Sequence, residues 1–136
     1  ICDEAHGIDE KILNHISLEL RGSVLVGDVG YSFGRVQEEY VLAGDWLDYL
    51  SRLSLDYSVA ISKSMGVLED MVEGKEKDRI STDIVRMENR RKRIDYIYDL
   101  IREDPNGWVV NKHIFPKYPE VSFVEFKPLI GSIPAL

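Results

Sequence analysis

The chain has 136 residues, of which 44% are hydrophobic and 30% are charged, a balance typical of one globular domain with a modest core. Its net charge of −7 argues against a chain-wide basic surface for nucleic acid, although a local basic stripe is compatible with it. A single cysteine excludes an internal disulfide and, with three scattered histidines, gives no zinc-site spacing. No apolar run reaches the roughly 20 residues of a membrane span. We therefore expect no membrane partner and a reducing compartment, cytoplasmic or nuclear.

The first predicted element is a helix over residues 8–20, followed by a loop. Apolar side chains recur at positions 8, 12, 13, 16 and 20, which is the spacing of one helical face. Asp9 and Glu10 suit the positive end of the helix dipole, and Arg21-Gly22 would end the helix. Residues 22–35 hold four of the ten glycines and predict a loop, in which 23–26 could form a short strand or helical turn.

Two long helices are predicted for the middle of the chain. The first, at about 38–73, would be roughly 50 Å long. The second would begin at a cap formed by Ser81 or Thr82 and end near Glu103, because the Asp-Pro pair that follows disfavours a helix. Apolar residues in both follow the alternating four- and three-residue spacing of paired helices. The polar segment 73–79 would form the turn of an antiparallel hairpin.

The period changes after this hairpin. Residues 108–115 and 121–130 are rich in Val, Ile, Phe and Trp and predict two strands, separated by Pro-Lys-Tyr-Pro at 116–119. Residues 131–136 would begin another helix. The predicted fold class is α+β, mainly α: a long antiparallel helical hairpin with short strands at the C-terminal end.

The motif with the clearest chemistry is Asp3-Glu4-Ala5-His6. Hydrolysis of a nucleoside triphosphate needs one carboxylate near Mg²⁺ and a second that polarises the attacking water, and adjacent carboxylates at a strand end can serve both purposes. A nearby histidine could sense the γ-phosphate. The alternative is that these acidic residues merely favour a helix N-terminus.

The stretch DEAHGIDEKI at 3–12 resembles the DEAH box of superfamily 2 helicases, and more narrowly that of the XPD/DinG branch. In that branch the box continues into Asn-Ile-Asp or Asn-Leu-Glu. Ile8-Asp9 match this continuation, whereas Gly7 stands where Asn is usual. A helical insertion, the arch domain, follows the box in these helicases, and the chain then returns to the first motor domain. FVEFKPLI at 123–130 resembles that return.

The resemblance implies three segments. Residues 1–21 would hold the DEAH box and the following helix of motor domain 1, residues 22–104 the arch-like insertion, and residues 105–136 the return to motor domain 1. The C-terminal strands would then belong to an α/β RecA-like motor domain. The chain lacks an initiator methionine and is expected to be a piece of a longer protein.

The resemblance also implies the roles of the box residues and the cofactors, ATP and Mg²⁺. Asp3 would hold Mg²⁺, Glu4 would be the general base for ATP hydrolysis, and His6 would couple the nucleotide site to the second motor domain and DNA. The phosphate-binding loop lies upstream in such helicases and is absent here, so this chain alone is expected to be inactive. An iron–sulfur cluster in the parent protein would also be ligated upstream.

A basic stripe on the second helix is the candidate nucleic-acid contact. Arg86, Arg90 and Arg93 share one helical face, and a basic face of the arch lines the path of single-stranded DNA in these helicases. The alternative is a solvated face with pairs such as Glu88–Lys92. Trp46, Tyr49 and Tyr57 could each stack on bases. Tyr49 is the better candidate, because Trp46 and Tyr57 keep the apolar spacing of the helix and are expected in the core.

The sequence thus supports two hypotheses from different classes. The first is a fragment of an ATP-dependent DNA helicase that translocates on single-stranded DNA and unwinds duplexes, expected as a monomer, with a regulatory protein as a further partner of the arch. The second is a non-enzymatic α-helical protein-interaction module, in which the acidic start is only a helix cap.

Overall fold

The computed structural model describes residues 17–33 and 39–129. Its regular elements, in chain order, are strand β1 (Leu18–Arg21), helix α1 (Gly22–Val29), helix α2 (Leu47–Glu69), helix α3 (Lys75–Glu103), strand β2 (Trp108–His113) and strand β3 (Phe123–Pro128). Short 3-10 turns lie at Ala43–Trp46, Pro105–Gly107 and Pro119–Val121. The α+β, mainly α class is confirmed. None of the helices in these ranges is long and apolar enough to cross a membrane.

Helices α2 and α3 form the predicted antiparallel hairpin. The Ser54 hydroxyl donates to Asp95, and the Arg91 guanidinium lies against Ser58. Residue numbers therefore increase along α2 while those of the contacting residues decrease along α3, as in an antiparallel pair. Each helix buries one apolar stripe, made of Leu50, Leu53, Tyr57 and Ile61 on α2 and of Ile84, Met87, Ile94, Ile97 and Ile101 on α3. The predicted spacing located most of these residues, because a helix can bury only one face.

Arg91 occupies a position of the apolar seam. Its side chain is half-buried, with Nη1 3.5 Å from Ser58 Oγ, and its buried Nε has no hydrogen-bond partner in the described part of the chain. The seam nevertheless continues through Ile94 without a break in register.

The hairpin ends differ from the prediction. Helix α2 begins at Leu47 rather than near 38, and α3 begins at Lys75 rather than at a Ser81 or Thr82 cap. Segment 73–79 was expected to be the turn because it is polar, but lysine and glutamate are good helix formers, and Glu76 and Asp78 suit the first turn of α3. Thr82 lies inside the helix, where its hydroxyl donates to the Asp78 carbonyl.

The predicted helix over 8–20 is wrong for its last residues, and positions 8–16 lie outside the described residues. Residues 18–21 form β1, in which Leu18 and Leu20 are buried while Glu19 and Arg21 are exposed. Buried and exposed side chains alternate along a strand, which has a period of two residues, whereas a helix has a period of about 3.6 residues. Apolar side chains spaced four residues apart are compatible with either element. Pairing with β3 decides between them.

The predicted loop over 22–35 contains helix α1, so of the two alternatives given for 23–26 the helical turn is the one present. Gly22 begins it directly after β1, and its C-terminus is closed by Gly30, whose φ of 86° lies in the left-handed region and whose N–H donates to the Leu25 and Val26 carbonyls. Leu25 packs into the core. Gly22 and Gly30 therefore mark the two ends of a short helix.

Gly22 is required by a close backbone approach, which gives a testable pair of substitutions. A Cβ at position 22 would lie 2.0 Å from the Pro119 carbonyl oxygen, whereas a Cβ at Gly27, in the same helix, meets nothing within 4 Å. We expect Gly22→Ala to lower the free energy of unfolding by about 2 kcal/mol through the clash. Gly27→Ala should raise it by about 0.5–1 kcal/mol through lower unfolded-state entropy. Urea denaturation measures both, and equal effects would contradict the close approach.

The three strands form one antiparallel sheet in the order β1-β3-β2. The two C-terminal strands lie within the predicted ranges. Leu18 lies opposite Phe126, and Trp108 lies opposite Pro128. The inner face of the sheet packs against the base of the hairpin, where Trp46 and Phe126 meet edge to face with ring centroids 5.5 Å apart.

One core joins the described parts of all three predicted segments. It contains Leu18 and Leu20 from the first, the hairpin stripes from the second, and Val124 and Phe126 from the third. The assignment of the flanking segments to a RecA-like motor domain stays a prediction.

Candidate functional site

The DEAH-box residues Asp3, Glu4 and His6 lie outside the described residues, so their roles stay predictions. Within residues 17–33 and 39–129, no group of three or more His, Cys, Asp and Glu side chains could hold a metal ion. The candidate site that the structure describes is the basic face of α3.

Arg86, Arg90 and Arg93 lie together on one side of α3, as their spacing predicts. They line an open cleft of about 620 Å³ that runs between α3 and the sheet. The other residues that line it are Ser17, Leu18, Glu19, Asn89, Glu125 and Lys127. The cleft is mixed in charge, because Lys127 pairs with Glu125 at 3.3 Å and Glu19 pairs with Arg21 at 2.8 Å.

Asp28 is a residue of the candidate site that the sequence did not indicate. It lies near the end of α1, and only 5% of its side chain is exposed. Its carboxylate accepts hydrogen bonds from Arg90 Nη1 at 2.6 Å, from Tyr57 Oη at 2.8 Å and from Arg86 Nη2 at 3.3 Å. One carboxylate therefore ties α1 to both helices of the hairpin. Because residue 28 fell in a predicted loop, no pattern in the sequence linked it to residues about 60 positions away.

Tyr57 stays protonated in this arrangement. Burial raises the pKa of Tyr57, and the hydrogen bond that its hydroxyl donates to Asp28 raises it further. The nearby Arg90 acts in the opposite direction but does not cancel these effects. Tyr57 thus acts as a fixed donor that helps hold the Asp28 carboxylate in place, in agreement with its predicted position in the core.

Arg93 contacts the start of β1. Its Nε and Nη2 donate to the Ser17 carbonyl oxygen at 3.1 and 2.5 Å. Arg93 therefore links the hairpin to the strand that leads back toward the DEAH-box segment. Its guanidinium also forms part of the wall of the cleft.

Tyr49 lies in an aromatic cluster rather than on an open surface. Its ring stacks on Phe33 with centroids 6.1 Å apart and meets Trp46 edge to face at 5.3 Å. Its hydroxyl donates to the Ser32 carbonyl at 2.9 Å, and burial raises its pKa. Tyr49 also lines a second pocket, together with Tyr31, Tyr40 and Arg52. Phe33 covers one face of the Tyr49 ring, so a nucleic-acid base would have to stack on the opposite face.

Comparison of the chain with protein-family models, with curated proteins and with solved structures finds no match. Any function proposed for it therefore rests on its own residues and geometry.

Proposed function

We propose that this chain is part of an ATP-dependent DNA helicase of the superfamily 2 DEAH-box type. Residues 3–6 would belong to its ATP-hydrolysis site, and the α2–α3 hairpin would contact single-stranded DNA. The DEAH-box sequence and its Ile8-Asp9 continuation are the sequence features behind this proposal.

The structural observation that carries the proposal is the pairing of β1 with β3. Leu18 lies opposite Phe126 in antiparallel register, so the chain enters and leaves the described unit on neighbouring strands. Both connections of an insertion must reach the same host domain, and two neighbouring strands meet this condition. From this two-stranded base the hairpin projects along α3, whose 29 residues span roughly 43 Å.

The cleft beside α3 is the proposed path of the DNA backbone. Arg86, Arg93 and Lys127 line it with cationic side chains, and contacts from such side chains recognise phosphate rather than base sequence. Binding through them should weaken as salt rises, since it depends on counterion release. A motor that moves along a strand needs such sequence-independent contacts.

The box residues suit the cofactors that this proposal requires. Carboxylate oxygens are ligands that Mg²⁺ accepts, so Asp3 would hold the ion, and the ion would supply charge neutralisation at the triphosphate. Glu4 would accept a proton from the attacking water, and His6 would respond to the γ-phosphate. An iron–sulfur cluster needs several thiolate ligands, and Cys2 is the one cysteine in the sequence, so this chain alone would not ligate one.

The test of the proposal is Glu4→Gln in the full-length protein that carries this chain. We expect ATP turnover to fall by about 10²–10⁴-fold, the range for loss of a general base, while binding of a fluorescent ATP analogue is retained. Glu10→Gln removes the same charge from the same segment and should leave turnover unchanged. Full turnover by the Glu4→Gln protein would refute the role of Glu4.

The α-helical interaction module is kept as the second candidate, because the hairpin tip exposes apolar side chains. Val72 is 87% exposed, and Met65 and Val67 are also exposed. A protein partner at the tip fits either hypothesis. If this module were the whole function, Glu4→Gln would change no ATP-dependent property of the protein, and its effect would be confined to the stability of the helix that the acidic residues cap.

A further inference from the structure

Two of the three arginines that line the cleft, Arg90 and Arg86, are held with different strength. Arg90 donates to the buried Asp28 carboxylate at 2.6 Å, and only 28% of its side chain is exposed. A short, shielded pair of this kind is strong and is costly to break. Arg90 therefore serves mainly to hold α1 on the hairpin.

Arg86 is shared between two carboxylates, the buried one of Asp28 and the exposed one of Asp83. Its Nη2 lies 3.3 Å from Asp28 Oδ1 and 3.5 Å from Asp83 Oδ1. Its side chain is 54% exposed, and that of Asp83 is 44% exposed. The Arg86–Asp83 pair is long and solvated on both sides, and pairs of this kind contribute little to stability. Arg86 also lines the cleft, where a ligand phosphate would meet it.

We propose that Arg86 is the exchangeable phosphate contact of this cleft, and that Asp83 and Asp28 are internal anions that compete for it. A phosphodiester oxygen of single-stranded nucleic acid would take the place of the Asp83 carboxylate on the Arg86 guanidinium. No covalent bond changes in this exchange. The inference rests on the proposed function for the identity of its ligand, single-stranded nucleic acid. It adds that Arg86 is the residue that binds the phosphate and that the competing carboxylates limit the affinity for the strand.

The physical reason is direct competition for the same donors. Both carboxylates contact Nη2 of the Arg86 guanidinium, so a phosphate oxygen that binds at this nitrogen takes the place of the more exposed carboxylate, that of Asp83. The binding free energy of the strand is then reduced by the free energy of the ion pair that it breaks. Weak, replaceable contacts of this kind let a strand move through the cleft without being trapped.

The test is Asp83→Asn in the full chain, with binding to a fluorescein-labelled oligothymidylate followed by fluorescence anisotropy. We expect binding to tighten by about two- to fivefold at low salt, the range set by one exposed ion pair. Asp99→Asn is the matched control, because Asp99 pairs with Arg102 at 3.6 Å in the same i,i+3 arrangement on α3. It changes the net charge equally at the other end of the helix and should leave the affinity unchanged.

A double-mutant cycle identifies Arg86 as the residue through which Asp83 acts. Arg86→Gln should weaken binding and reduce the slope of log affinity against log salt by about 0.7, the value for one lost contact with a single strand. Asp83→Asn added to Arg86→Gln should then give no gain. A gain that persists without Arg86, or that Asp99→Asn reproduces, would overturn the exchange.

Two further outcomes separate this inference from the proposed function. The gain should be equal for oligothymidylate and oligouridylate, because a phosphate oxygen is exchanged, and a gain confined to one of them contradicts the inference. If the unsubstituted chain binds neither oligonucleotide, the nucleic-acid contact fails together with the inference. If it binds and Asp83→Asn has no effect, the inference alone fails.

Discussion

Trp46→Ala is expected to lower the free energy of unfolding by about 3–5 kcal/mol, the range for removal of a buried aromatic side chain. Trp46 is fully buried where the base of the hairpin meets the sheet. Its ring makes edge-to-face contacts with Tyr40, Tyr49 and Phe126, and its indole N–H donates to the Tyr40 carbonyl. The substitution would remove both this contact area and a satisfied donor.

The loss is large compared with the stability of the whole unit, since small domains are stable by only about 5–15 kcal/mol. Urea denaturation followed by circular dichroism measures it. Tyr118→Ala provides the control, because Tyr118 is exposed and its removal should change stability by no more than about 0.5 kcal/mol. A Trp46→Ala chain as stable as the Tyr118→Ala chain would contradict the shared core.

Asp28→Asn is expected to destabilise the fold by about 3 kcal/mol, at the lower end of the range for breaking a buried ion pair. The amide keeps the size of the side chain but removes the charge opposite Arg90 and Arg86. Its NH₂ group would also face donors rather than acceptors. The unpaired Arg90 would then be left partly buried between α1 and α3.

Asp99→Asn is the control for this substitution in the same denaturation experiment. Asp99 has an exposed pair with Arg102, and such pairs contribute only about 0–1 kcal/mol. A loss at Asp28 no larger than that at Asp99 would show that the buried carboxylate is not the junction of the three helices. Such a result would also remove the basis for separating the roles of Arg90 and Arg86.

The hairpin and the C-terminal strands were predictable because local patterns determine them. A long helix that packs on one side against a core buries one apolar face. Apolar residues spaced by three and four positions therefore identify α2 and α3 without knowledge of the rest of the chain. Tyr57 and Trp46 were correctly expected in the core on the same ground. The β-branched and aromatic runs likewise identify β2 and β3.

The segment 18–33 was predicted poorly because its local signals were ambiguous. Leu20 fits either a helix or a strand, and only the partner strand β3 decides that it lies in β1. Gly22 and Gly27 suggested a loop. In the structure Gly22 permits a close approach to Pro119, and Gly27 lies on the exposed side of α1. Short elements of this kind are determined by the surfaces on which they pack.

By itself the sequence determined the DEAH-box resemblance, the two long helices, the two C-terminal strands and the shared face of Arg86, Arg90 and Arg93, since all of these depend on residues close together in the chain. Only the tertiary structure decided that β1 pairs with β3 and that Asp28 meets two of those arginines. The reason is that the partners lie about 60 to 100 positions apart, and their contact depends on how separate elements pack. Whether an arginine is available to a ligand depends on its surroundings in the fold, and at Arg86 those surroundings are Asp28 and Asp83.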